Sequence, residues 1–206
     1  MTESGTASAA PAEEALRAAV VEVEHYVDDD GWDQPGRLFA LVPTAELLEA
    51  EPDLAMELGV HASTAAALTP VEQEIDVNDR TLEELLGTIA WPESVVGAMA
   101  VVERVVLPPS AEDDVPEDEE QAAAFAAEHA AREEVRMVAG VLRSGEAHCV
   151  LRLRSRDHEA DLVHGPDLVP LLVSALRETL EYDDGDAVED DGDGDASDGW
   201  RGVESG

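Results

Sequence analysis

Five ionisable side chains crowd into eight positions in the last third of this sequence: Asp157, His158, Glu159, Asp161 and His164. Imidazoles mixed with carboxylates are the donor set of zinc and non-haem iron sites, and such a site would serve a metal-dependent hydrolase or transferase. The spacing is not that of His-Glu-x-x-His, which stacks two imidazoles on consecutive turns of one helix. A polar run directly before Gly165-Pro166 also reads as a solvated loop.

Cys149 is the single cysteine of the chain. It alternates with Leu151 and Leu153 and so points inward, where a thiol behaves as a small inert hydrophobe. His148 points the other way, because successive strand residues diverge, and no Cys/His nucleophilic pair forms. With one cysteine there is no internal disulfide and no structural zinc site built on thiolates. No residue is assigned a catalytic role and no cofactor is expected.

The strongest binding candidates are Arg152, Arg154 and Arg156, which on an extended strand share one face as a row of planar forks suited to carboxylates or phosphates. Arg136 and Arg143 of the preceding strand fall nearby. In one reading the row balances acidic neighbours such as Glu72, Glu74 and Glu103. In the other it receives an anionic partner, of which the chain's own acidic tail is one. Asp191, Asp193 and Asp195 imitate the start of a calcium loop, yet Ala196 stands where the loop needs its turn glycine and Gly202 where it needs a bidentate Glu. That tract, like Asp28, Asp29, Asp30 and Asp33, supports only weak association with divalent cations.

These groups must be held by elements, and apolar periodicity outlines them. Leu16, Ala19, Val20, Val23 and Val27 recur at helical spacing from Ala12, and Asp28-Asp29-Asp30-Gly31 ends the helix. The run Arg37 to Pro43 is nearly continuous in apolar residues, as in a strand covered on both faces. Thr44 is an N-cap candidate for a short helix that resumes after Pro52 and runs to Gly59. Val71 to Asp76 alternates as a half-wet strand. Thr81 and Glu84 form a capping box before Leu82, Leu85, Leu86 and Ile89. Strands follow at Val95 to Leu107, Glu134 to Arg143 and His148 to Arg154, the last two joined by a hairpin turn at Ser144-Gly145-Glu146. Leu168, Leu171, Leu172, Ala175, Leu176 and Leu180 stripe a closing helix, with Pro170 tolerated in its first turn.

The order of elements predicts an α+β fold, an antiparallel or mixed sheet with helices packed mainly on one face. A single domain spans residues 11–182, with an acidic linker at 110–120. A small-residue arm at 1–10 and an acidic tail at 183–206 are expected to be disordered. Of the 49 acids in these 206 residues, 17 fall in Glu112 to Glu120 and Asp183 to Gly206.

The net charge of −37 disfavours nucleic acid and anionic membrane as partners. All twelve basic residues are Arg, a bias that fits a GC-rich genome and equally fits salt adaptation. The N-terminal stretch lacks the features of a secretion signal, and the longest apolar run, Val95 to Val102, is too short to span a bilayer. The expected setting is the cytoplasm.

Three blocks resemble an actinobacterial family of small acidic proteins with no assigned activity: Arg37 to Thr44, Ile89 to Val101, and the hairpin from Val135 to Arg154. The resemblance implies an actinobacterial cytoplasmic origin and carries over no catalytic residue. At the level of element order the chain is also similar to the α+β chaperones of type III secretion. The resulting expectation is a non-enzymatic interaction, regulatory or chaperone-like protein with another protein as partner. The alternative is the metal-dependent enzyme built on Asp157 to His164.

Overall fold

The computed structural model describes residues 6–57, 67–75 and 81–181. The acidic segment 183–206 with its Asp191 to Asp195 tract, the helix end at Leu58-Gly59, and the first five residues of the expected arm lie outside them. No helix among the described residues is long and apolar enough to cross a membrane.

Six strands form one open antiparallel sheet in the order β2-β1-β3-β4-β5-β6: β1 Arg37–Pro43, β2 Leu68–Gln73, β3 Gly97–Val106, β4 Glu133–Leu142, β5 Ala147–Leu153 and β6 Val163–Gly165. The helices are α1 Thr6–Asp28, α2 Thr44–Ala50, α3 Pro52–Glu57, α4 Leu82–Leu86, α5 Glu119–Glu128 and α6 Pro170–Glu181. The α+β class with an antiparallel sheet is the one expected. Residues 6–10, expected to belong to an unordered arm, are instead helical and extend α1, as an Ala-rich stretch with high helix propensity permits.

The helices do not gather on one face. Leu16, Ala19, Val20, Val23 and Val27 of α1 pack on Phe39, Leu41, Met99, Val101, Val138 and Val150. On the opposite face, Leu82 and Leu86 of α4 and Leu172, Val173, Leu176 and Leu180 of α6 pack on Leu38, Ala98, Ala100, Ala139, Val141 and Cys149. The physical reason lies in β1, β3 and β4: these central strands are apolar on both sides, so each side needs cover. Two close approaches permit this layering. A Cβ on Gly140 would stand 2.9 Å from Val20 Cγ2 of α1, and one on Gly97 would stand 2.5 Å from the Val141 carbonyl oxygen.

Local signals resolve in detail. Thr81 and Glu84 close the reciprocal capping box. Thr44 is not a cap: it is the first residue of α2, and its hydroxyl bonds that of Thr69 at 2.8 Å. The acidic linker is not wholly irregular, since Pro109–Asp114 forms a 3₁₀ turn that buries Ala111, and Asp118 caps α5 by accepting from the Gln121 amide at 3.0 Å. α6 begins at Pro170, and Leu171, assigned to its buried stripe, is 87% exposed because the stripe that faces the sheet runs through Leu172, Val173, Leu176, Thr179 and Leu180 and leaves position 171 outside it.

Candidate functional site

The register of β4 and β5 sets Arg136 directly opposite Arg152. Both share the face of Val138 and Val150, which α1 covers, so both guanidiniums point beneath that helix. Arg136 is 0% and Arg152 3% exposed. A buried guanidinium must be paired, and the last two turns of α1 supply the partners.

Glu24, itself fully buried, accepts from Arg152 Nε at 2.5 Å and Nη2 at 2.9 Å, a bidentate pair. Asp28, one turn further, bridges both arginines: its Oδ1 lies 3.1 Å from Arg136 Nη1 and its Oδ2 3.3 Å from Arg152 Nη2. Glu103 of β3 takes Arg136 Nε at 3.1 Å, and the carbonyl of Gly31 takes Nη2. Asp157 accepts from Arg152 Nη1 at 3.0 Å and from the indole Nε1 of Trp32 at 3.0 Å. These bonds raise the Arg152 pKa, Glu24 foremost, while the Trp32 bond and then Arg152 hold Asp157 below the ordinary aspartate value.

The turn after α1 completes the clasp. Gly31 (φ 80°) and Asp33 (φ 66°) adopt left-handed backbone, a region open to glycine and tolerated by aspartate. This bend stacks Trp32 against two cations, with Arg136 Cζ 4.5 Å and Arg154 Cζ 5.5 Å from the ring centroid. Asp33 grips Arg154 with both oxygens, at 2.9 and 3.0 Å, and Glu134 joins from β4. The Arg154 bond lowers the Asp33 pKa. Three guanidiniums thus face six carboxylates: Glu24, Asp28, Glu103, Asp157, Asp33 and Glu134.

The expected surface row of Arg152, Arg154 and Arg156 therefore does not form. β5 stops at Leu153, residues 154 and 155 turn, and Arg156 bridges back to Leu153, which takes it out of the period-two phase. Arg152 is buried under α1, Arg154 is half-exposed and paired, and Arg156 is exposed. Arg143 is elsewhere, donating to the carbonyls of Val95 at 2.9 Å, Trp91 at 2.8 Å and Leu180, where it ties the hairpin to the end of α6. Asp28 and Asp33, read as weak cation ligands, hold these arginines, and Asp30 pairs with Arg37 at 2.6 Å.

The Asp157 to His164 cluster is likewise dispersed. Asp157 belongs to the clasp, Glu159 approaches His25 of α1 at 3.8 Å, and His164 sits on β6, an edge strand where the sequence suggests a loop. Among the described residues no group of three or more His, Cys, Asp or Glu side chains is placed to hold a metal ion. Cys149 is fully buried on the α6 side, and burial raises its thiol pKa.

Sequence reasoning missed Glu24, and it placed Arg136 beside the arginine row without foreseeing its burial. The signal was present: Glu24 falls four residues after Val20 and four before Asp28, inside the apolar phase of α1, and Arg136 is in phase with Val138 on a central strand. A charge in a buried phase demands a partner in another buried phase.

Compared with family models, residues 16–181 of the chain match the one described as PPA1309-like protein. Neither curated proteins nor solved structures give a match.

Proposed function

The chain belongs to the PPA1309-like protein family, and from that premise we propose that it acts in an actinobacterial cytoplasm as a non-enzymatic interaction protein, regulatory or chaperone-like, whose partner is a basic protein segment. The observation that carries this reading is the clasp. Arg136, Arg152 and Arg154 are occupied by the chain's own carboxylates, so the surface offered to a partner is dominated by acid. A net charge of −37 accelerates encounter with a basic partner and repels an anionic one.

One place suits such a segment. Tyr26, Asp30, Pro35, Arg37, Glu72 and Glu74 line an open cleft of about 940 Å³ beside β2, the strand at one end of the sheet order. Tyr26 is half-exposed, its hydroxyl donates to Glu72 at 3.2 Å, and that carboxylate raises the phenol's pKa. The Tyr26 ring already carries Arg37 Cζ at 5.7 Å from its centroid, so a partner's lysine or arginine would meet Glu72 and Glu74 beside it, and an end strand offers its backbone to an extended segment.

The test is titration of the protein with an Arg- and Lys-rich peptide and with its Glu-substituted counterpart. Binding of the basic peptide alone, weakened by added salt and by Glu74→Arg, supports the reading. Equal affinity for both peptides, or indifference to Glu74→Arg and Tyr26→Ala, overturns it.

A further inference from the structure

The α1 face of the sheet holds a second polar feature, separate from the clasp and independent of the function proposed above. His148 is on β5, only 8% exposed, and its Nε2 is the one buried side-chain polar atom among the described residues without a hydrogen-bond partner. An unpaired buried nitrogen forfeits its hydration with nothing in return, which calls for an explanation. His164 of β6 stands beside it. Val150 pairs with His164 across the two strands, so His148, two residues before Val150, shares the face of His164 as its diagonal neighbour. The two rings are 5.8 Å apart between centroids and tilted by 39°.

We infer that His148 and His164 form a two-imidazole site for a transition-metal dication of borderline softness, such as Zn²⁺ or Ni²⁺, with water completing its coordination. The geometry fits the ion. Zinc bonds imidazole nitrogen at about 2.0–2.1 Å, and a tetrahedral angle between two such bonds sets the ring centroids roughly 5 Å apart. The observed separation reaches that value by small rotations of the exposed His164 ring. A bound ion would also provide the missing partner of Nε2.

Charges of both signs on α1 act on the His148 ring. Glu13 and Glu14 on α1 act electrostatically on the His148 ring, opposed by Arg17 of the same helix, which is itself held by Glu14 at 2.7 Å. Burial, His164 and Arg17 together push the His148 pKa down, keeping the ring neutral at neutral pH, the form that ligates metal. The field of a strongly acidic protein raises the local concentration of dications. With two protein ligands the site binds metal reversibly and is not assigned catalysis.

Forty-nine carboxylates bind dications weakly, so the experiment must separate imidazole from oxygen ligation. Calorimetric titration of the full chain with Zn²⁺ in excess Mg²⁺ does this, because Mg²⁺ occupies oxygen sites and leaves imidazoles free. One Zn²⁺ equivalent is expected to persist. His164→Gln, on an exposed ring whose loss leaves the fold intact, should weaken it at least about tenfold, as should His148→Gln, while His25→Gln and His158→Gln leave it unchanged. Loss of all Zn²⁺ binding under Mg²⁺, or an undiminished equivalent in His164→Gln, overturns the inference.

Discussion

Asp28 receives Arg136 on one oxygen and Arg152 on the other, and this single carboxylate turns two ion pairs into a network. The partners of the network differ in depth, so substitutions should separate them. Arg154 is 40% exposed and Asp33 76%; Arg154→Met should therefore move the denaturation midpoint little, since exposed pairs contribute little. Acid titration should proceed in two stages. The folded His148 pKa lies below 6.5, so the unfolded chain takes up that proton first, and stability declines as pH falls below about 6.5. The Asp157 pKa is depressed, so its contribution is full above about 4 and is lost as pH falls through the folded value. Denaturation followed from pH 8 to pH 3 should show both stages in the native sequence, and only the lower in His148→Gln. At this scale the sequence displayed the participants without their pairing. The Asp28 to Asp33 acids and the Arg152 to Arg156 row were each legible, but they are more than a hundred residues apart, and only the packing of α1 on β4 and β5 joins them.

The layering of helices on both faces rests on points where no side chain fits. At Gly97 an added methyl meets the backbone of β4 instead of a movable side chain. Gly97→Ala should thus destabilise by about 1–3 kcal/mol, the range for overpacking, visible as a lower urea midpoint at unchanged slope. Helix α6 offers a paired comparison. Leu176, fully buried against the sheet, should cost about 2–5 kcal/mol as Ala, whereas Leu171→Ser, at an 87% exposed position, should be nearly neutral. Strong local signals made most of these elements readable: the heptad-like stripe of α1, the capping box at Thr81, and the hairpin with Gly145 at φ 107°. β6 escaped because three residues carry no periodicity. Arg152 was placed on the surface for a different reason: with the helices expected mainly on one face, its face of the sheet was left to solvent, whereas α1 covers it.

At the scale of the whole molecule, the −37 charge and the burial of arginine are two sides of one arrangement. Two of the twelve arginines, Arg136 and Arg152, lie beneath α1 and fasten that helix to β4 and β5, and the acid-rich surface that remains is the one proposed to meet a basic partner. Composition revealed the acidity, but not that Arg136 and Arg152 are turned inward, because that depends on which face of the sheet α1 covers. A double-mutant cycle on Glu24 and Arg152, followed by chemical denaturation of the full chain at neutral pH, addresses the claim most directly. Breaking one side of a buried pair typically costs about 3–5 kcal/mol, whereas removing both strands no fully buried charge, since Asp28 and Asp157 reach solvent. Arg152→Met and Glu24→Leu should each be strongly destabilising, and the double variant markedly less so than their sum, with basic-peptide affinity retained. Additive effects, or an Arg152→Met protein as stable as the native one, would contradict the account and return Arg152 to the surface as a binding residue.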